Sequence, residues 1–340
     1  MNILVYSPVF APSVGGLEFM AGVLAGEFAE LGHAVRVATR TPGDPVRARY
    51  EVVRRPSPAA LLRHFRWADV ILQMNLSLKG LWPFAFVRRP LVAGHFGLYR
   101  RDLGRIGLRD RLKFLAARWA HNVACSQAVK ADLPASTLVV GNCYDDGVFS
   151  DEGRGQAERD VVFVGRLVSE KGADLLLDAV ARLRDAGRPV SVSIVGGGPE
   201  AANLEAQRGR LRLQDAVEFH GVVKGGALAA LLRRHVVLAV PSRNEGFGVV
   251  ALEGMACGCV VAGSDAGGLP EAIGGGGLVF PSGDSAGLAR ALEHLLDDAE
   301  VRQRCLAARK AHLARHARRA VALRYLEVME RAVAGAGSGR

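Results

Sequence analysis

The stretch SIVGGGPEAANLE, residues 193–205, joins a β-branched run to three glycines, a proline and a segment with helical spacing. A strand that turns through glycines into a helix is a βα unit, and the helix N-terminus offers unpaired N–H groups to an anion. The same pattern opens a dinucleotide fingerprint, so the stretch raises a fold question and a cofactor question together.

The surrounding chain answers the first. NILVYS (2–7) is a short apolar strand, and apolar residues at helical spacing follow from Leu17 to Leu31, closed by Gly32. The alternation continues through AVRVAT, EVV, DVILQM (69–74), PLVAGH (90–95), a helix around 105–120, NVACS and TLVVGN. A second series starts at DVVFVGRL (160–167) and runs through VSVSIVGGG, AVEFHG, VVLAVPS, CVVAGS and LVF. Strands apolar on both faces and separated by helices predict parallel, doubly wound sheets. The polar stretch DDGVFSDEGRGQAERD between the series reads as a linker. The expectation is an α/β protein of two Rossmann-like domains, residues 1–152 and 153–317, with a terminal helix at about 318–334 packing back on the first. Two such domains would bring the carboxyl ends of their strands into one cleft.

Composition narrows the function classes. The chain has 340 residues, more than one hydrophobic core usually spans, and is 49% hydrophobic and 23% charged. Its net charge is +10, and residues 1–156 carry 20 basic against 13 acidic side chains, so the first half is the one expected near something anionic. No Cys/His finger spacing, aromatic RNP-like strand or polybasic tail points to nucleic acid. The five cysteines are odd in number and scattered except for Cys257 and Cys259, which suggests neither a disulfide framework nor a zinc site. The N-terminus has no basic n-region and no apolar run reaches 18 residues, so a cytoplasmic protein with at most peripheral membrane contact is expected.

The loops after the strands carry the candidate site. Gly15 and Gly16 open the first helix after PVFAPSV, where a ligand could approach the backbone, although a flexible turn would look the same. Arg166 and Lys171 flank the turn GRLVSEKG; two cations beside a helix start suit a diphosphate, a solvated charge pair being the plain alternative. In PSRNEGFGVVALEGMACGCVV (241–261), Glu245 precedes Gly246, Phe247, Gly248 and Val249, whose amides would enter a helix. Glu253 lies eight residues beyond Glu245, about two helical turns, so both carboxylates are expected to point along one side toward a ligand. A carboxylate accepts both hydroxyls of a ribose diol, which suits Glu253 to a nucleoside and Glu245 to a sugar.

At these residues the chain resembles the large retaining glycosyltransferase family of the GT-B fold that includes glycogen, sucrose and mannosyl transferases. VGRLVSEKG and NEGFGVVALEGMACGCVVAGSDAGGLPE resemble its signature segments, and SPVFAPSVGGLE its N-terminal glycine loop. Asn142, Asp145 and Phe149 fit its N-G-V-D-x-x-x-F segment, with Cys143 and Tyr144 in the middle positions. The resemblance implies that Arg166 and Lys171 bind the donor diphosphate, Glu253 the ribose, and Glu245 with the following amides the transferred sugar. It places main chain near Val222 at the base and His95 beside the sugar. It further implies retention at the anomeric carbon, stabilised at the leaving group. The nucleotide-sugar is then a co-substrate and no cofactor is needed; because no D-x-D occurs, no metal is expected either.

The acceptor is read from GLWPFAFVRR (80–89) and residues 100–119, where aromatics adjoin seven Lys/Arg and two Asp in the second stretch. This combination suits an anionic inner-membrane surface and a glycan or lipid-linked acceptor such as lipopolysaccharide or O-antigen; ordinary crossover helices are the alternative. UDP is the expected base, with a GDP-mannose-dependent mannosyltransferase as alternative and an NAD/FAD oxidoreductase as the reading from another class. Against the last, the strand after SIVGGGPE ends in Phe219 and His220, without the acid that a nicotinamide fingerprint needs there.

Overall fold

Runs of β-branched and aliphatic residues without alternating polarity can be satisfied only by burial on both faces, and the central strands do this. The computed structural model describes residues 1–13, 15–44, 48–99 and 108–337. It divides into two compact units, Met1–Cys143 with Arg318–Arg340, and Tyr144–Ala317. The division falls at 143/144, nine residues before the boundary placed at 152, because Tyr144 already pairs with the second unit: its N–H donates to the His316 carbonyl at 3.2 Å.

In the first unit the strands are β1 (Asn2–Ser7), β2 (Ala34–Thr39), β3 (Glu51–Arg54), β4 (Val70–Met74), β5 (Leu91–His95), β6 (His121–Ala124) and β7 (Thr137–Val139). They form one parallel sheet in the order β3-β2-β1-β4-β5-β6-β7. Successive residues of β1 serve opposite faces, as the two-residue period requires. Ile3 and Val5 pack with Met20, Leu24 and Phe28 of the helix Gly16–Glu30, while Leu4 and Tyr6 pack with Leu61 and Phe65 of the helix Pro58–Trp67. The helix Arg318–Gly337 belongs to this unit and sets Ala322, Tyr325, Met329 and Ala332 against the first of these faces. Their spacing of three and four is one stripe of a helix.

In the second unit β8 (Arg159–Val164), β9 (Val192–Val195), β10 (Val217–Phe219), β11 (His235–Val240), β12 (Val260–Ser264) and β13 (Gly277–Phe280) form a parallel sheet ordered β10-β9-β8-β11-β12-β13. Val161 and Phe163 of β8 and Val237 and Ala239 of β11 are buried against the helices Ala173–Asp185 and Ser285–Asp297. Burying each such side chain contributes roughly 1.5–3 kcal/mol. In both sheets the chain starts in the middle, winds one way for two strands and then returns to the other side. The reversal lies between β1 and β4 in one unit and between β8 and β11 in the other, and crevices outside the carboxyl ends of such strands are where ligands bind.

Candidate donor site in the second unit

The glycine turn after β9 proves to be a packing device. Gly196 lies at φ +145°, and a Cβ there would sit 1.8 Å from the Gly165 carbonyl oxygen; one at Gly198 would sit 2.3 Å from that of Leu167. Backbone hydrogen bonds complete the contact: Leu167 N–H donates to Gly197 O (3.0 Å), Glu200 N–H to Leu167 O (3.0 Å) and Gly196 N–H to Gly221 O (2.7 Å). The Gly196 and Glu200 amides are thus spent on protein carbonyls, and the glycines face the backbone of Gly165–Leu167. The turn is the bed on which the loop after β8 rests, and that loop carries Arg166.

β8 and β11 are neighbours, so their following loops meet. Arg166 is exposed and, among the described residues, makes no ion pair. Lys171 Nζ lies 2.5 Å from Glu245 Oε2, with 24% and 14% of the two side chains exposed, and the Ser242 hydroxyl approaches the same oxygen at 3.4 Å. The two loops are held together by a residue that the sequence reading passed over. The Arg243 N–H donates to Glu170 O (2.7 Å), its guanidinium to Ser169 O (2.6 Å) and, bidentately, to the Asp174 carboxylate (2.9 and 2.6 Å). Burial alone would raise the Asp174 carboxyl, but the Arg243 guanidinium holds it below its ordinary value. Arg243 stands beside Glu245 in the sequence, yet its partner is 69 positions away, and only the strand order joins them. The loops are close enough that a Cβ at Gly172 would lie 2.0 Å from the Pro241 carbonyl oxygen.

Glu245 is not helical. The helix runs Val249–Ala256 with Gly248 as its N-cap, so Glu245 lies in the preceding loop and the expected spacing of two helical turns to Glu253 does not hold. The amides of Phe247, Gly248 and Val249 do stand at the helix entry, where the first N–H groups have no intrahelical partner. The Phe247 side chain is turned inward against His316, with ring centroids 5.4 Å apart, which leaves only its main chain for a ligand. Glu253 is on the helix and only partly exposed; burial, and secondly the nearby Asp145 carboxylate, push it up to about 7. Val222 is 64% exposed just beyond β10, and its Cγ2 would be 3.0 Å from a Cβ on Gly197. Arg166, Lys171, Val222, Glu245 and the 246–249 turn thus all follow the carboxyl ends of β8, β10 and β11.

Gly15, Gly16 and His95 belong to the first unit. Gly15 is exposed and N-caps the helix Gly16–Glu30. The Glu18 carboxylate folds over it, 2.7 Å from where a Cβ would be, so this helix start already has a negative charge nearby; Gly16 has nothing within 4 Å. His95 corrects the expectation of a sugar contact. It is fully buried, with Nδ1 2.7 Å from the Tyr99 hydroxyl and Nε2 3.0 Å from Asn122 Oδ1. Asn122 Nδ2 donates to the carbonyls of Ala117, Ala120 and Ser136, which fixes Oδ1 as an acceptor. Nε2 therefore carries the proton and Nδ1 accepts from Tyr99, leaving neither nitrogen for a substrate. Burial, opposed by the Asn122 bond, lowers His95 to about 4, so the ring is neutral at pH 7.

Comparison with known proteins bears on the fold and on the family. Residues 148–312 match the family model described as glycosyl transferases group 1. The D-inositol 3-phosphate glycosyltransferase of Actinosynnema mirum is 39% identical over 158 residues, 41% of this chain and 38% of that protein. Against the curated relatives matched at this level, the chain spans about two fifths of their length or less. The gpi3 subunit of the Schizosaccharomyces pombe phosphatidylinositol N-acetylglucosaminyltransferase is 26% identical over 329 residues, 86% of this chain and 72% of that one. Among solved structures, Anabaena HepE in complex with UDP and glucose superposes with a TM-score of 0.78 at 22% identity, covering 97% of this chain and 99% of HepE. The chain has the GT-B fold, and its second unit belongs to group 1 of the glycosyl transferases.

Proposed function

We propose that the protein transfers a sugar from a nucleotide-sugar, a UDP-sugar in the first instance, to a hydroxyl of a glycan or lipid-linked acceptor, with retention at the anomeric carbon. The carrying observation is the convergence after β8 and β11 of Arg166, Lys171, Glu245 and the helix-entry amides of 247–249. Arg166 and Lys171 neutralise the charge that develops on the departing diphosphate, the kind of electrostatic stabilisation that dominates many barriers. Glu253 accepts from the ribose, and Glu245, released in part from Lys171, from the sugar. The acceptor hydroxyl attacks from the face the diphosphate leaves and passes it the proton. With Arg166 and Lys171 in this role, the proposed reaction calls for neither a divalent metal nor a cofactor.

UDP is favoured over GDP because HepE was solved with UDP and glucose. Against the oxidoreductase reading, the Gly196 and Glu200 amides of the 196–200 turn donate to protein carbonyls, and the Gly165–Leu167 backbone packs directly on its glycines. Titration calorimetry with UDP, GDP and ADP tests the donor reading. Saturable UDP binding with slow hydrolysis of a UDP-sugar is expected; a panel of UDP- and GDP-sugars giving neither refutes it.

The acceptor side of the proposal includes peripheral contact with an anionic membrane. Among the described residues no helix is long and apolar enough to cross a bilayer. On the first unit, however, Leu112, Leu115 and Trp119 form one stripe of a helical stretch and are 46%, 56% and 85% exposed, lining a groove with Arg88 and Arg89. Phe86, 69% exposed, adjoins it. Residues 100–107 of the same sequence stretch lie outside the described residues. Exposed apolar rings rimmed by arginines fit an anionic lipid surface. Flotation with phosphatidylglycerol-containing liposomes is expected, and flotation that ignores anionic lipid content removes this part.

A further inference from the structure

We infer that the first unit holds a binding site for an anionic saccharide, one bearing a phosphate ester or a carboxylate, in a cavity of about 650 Å³ at the carboxyl ends of β1, β2 and β3. As the acceptor end of the reaction this rests on the transferase reading above; as a binding site it stands by itself.

Three cations converge there from three different strands. β2 and β3 pair with Thr39 opposite Arg54, so Arg40 and Arg55 leave adjacent strands at the same height. Arg55 is tied down by its N–H to Thr39 O (2.7 Å) and by Nε to Arg40 O (3.3 Å). It sits at φ +46°, a left-handed conformation unusual for a residue with a Cβ and one that costs on the order of 1 kcal/mol. Lys79 comes from the segment after β4, which the fully buried Gln73 clamps: its Nε2 donates to Gly80 O (2.7 Å) and its Oε1 accepts from Ser77 N–H (3.2 Å). Arg40, Arg55 and Lys79 are all exposed, and among the described residues no carboxylate pairs with any of them.

The remaining wall is of the kind that recognises sugars. Trp82, 37% exposed, supplies an aromatic face, while the buried Tyr6 and Thr39 form the floor, the Thr39 hydroxyl accepting from the Thr41 N–H at 3.2 Å. Tyr6 already shares a hydrogen bond with Ser77 and feels the Arg40 charge. A cavity with three unpaired cations, one indole and no acid in its lining favours an anion joined to a ring with an apolar face, and works against a neutral glycan or a metal-bound one. The location follows the rule for open α/β sheets, at the strand ends beside the reversal of order.

Binding of glucose 6-phosphate, glucuronate and glucose tests this by titration calorimetry and Trp82 fluorescence, in a chain carrying Arg166→Ala and Lys171→Ala so that the donor-loop cations do not contribute. Saturable binding of glucose 6-phosphate or glucuronate is expected, the stronger of the two naming the anion, with glucose at least about tenfold weaker. Arg40→Ala, Lys79→Ala and Arg55→Gly, the last compatible with positive φ, should each weaken it about tenfold or more, and Trp82→Phe should abolish the fluorescence change. Glucose binding as well as the anions, inorganic phosphate binding as well as glucose 6-phosphate, or affinity unchanged in all three cation variants would each overturn the inference. UDP titration of the unmodified chain separates the two readings. UDP binding without any sugar-anion binding sinks the cavity alone, and sugar-anion binding without UDP binding sinks the donor reading alone.

Discussion

Glu253 offers the sharpest test of the donor site, because its environment gives a protonation signature that no merely solvated carboxylate has. Burial, with Asp145 adding a like charge, takes it from 4.5 to about 7. At roughly 1.4 kcal/mol per pH unit, keeping it ionised in the folded protein at pH 8 costs about 3 kcal/mol. The sign follows from linkage: a carboxyl raised in the fold leaves stability intact below 4.5 and erodes it as pH rises to about 7. Near pH 7 the free protein holds about half a proton there. If the ribose diol donates to the ionised carboxylate, UDP binding must expel that proton, and affinity must fall by up to about tenfold per pH unit below 7. Calorimetry in buffers of different ionisation enthalpy counts the proton directly. UDP itself titrates near pH 6, but that contribution persists in Glu253→Gln, so the difference between the two proteins isolates the side chain. Glu253→Gln should weaken binding by roughly 10- to 100-fold, the worth of a hydrogen bond to a charged group, and lose the extra proton. Asp145→Asn should move the inflection down without abolishing it, since burial is the larger cause. An identical proton count and pH slope in the unmodified and Glu253→Gln proteins would refute the assignment.

Other expectations follow from the same geometry. Gly196→Ala, whose Cβ meets the Gly165 carbonyl at 1.8 Å, should destabilise the second unit by more than about 3 kcal/mol in urea melts and lower UDP affinity, while Gly16→Ala, with open space around it, should stay within about 0.5 kcal/mol. His95, lowered to about 4, keeps its stability contribution above pH 6.5 and loses it as pH falls towards 4; acid melts of His95→Gln should be less steep over that window, and an activity profile with a histidine inflection lost in His95→Gln would contradict the buried reading. Lys171→Ala should chiefly lower turnover and Glu245→Gln should weaken sugar discrimination. A double-mutant cycle on stability is expected to show about 1 kcal/mol or more of coupling for this half-buried pair, and additivity would mean that it is not formed in solution. Arg243→Ala, which unties the two donor loops, should lower UDP affinity several-fold although it touches no expected donor group, and unchanged affinity would remove its positioning role.

The sequence alone determined the winding of the chain and the chemistry of the loops. Runs such as VVFV and VVLAV leave almost no face for water, so parallel burial follows, and Arg166, Lys171, Glu245 and Glu253 stand on the loops and the helix after those strands. What it left open were matters of long-range pairing and of direction. The three glycines of 196–198 look alike whether their amides face a pyrophosphate or a neighbouring turn, and only the strand order β9-β8 put the Gly165–Leu167 backbone against them. A histidine at a strand end looks the same whether its ring points to solvent or to Asn122. Arg40, Arg55 and Lys79 lie on three separate segments, and Arg243 and Asp174 on two, so their convergence has no local sequence signal. Burial is written residue by residue in the apolar pattern, whereas contact between loops is set by which strands lie side by side, and only the fold settles that.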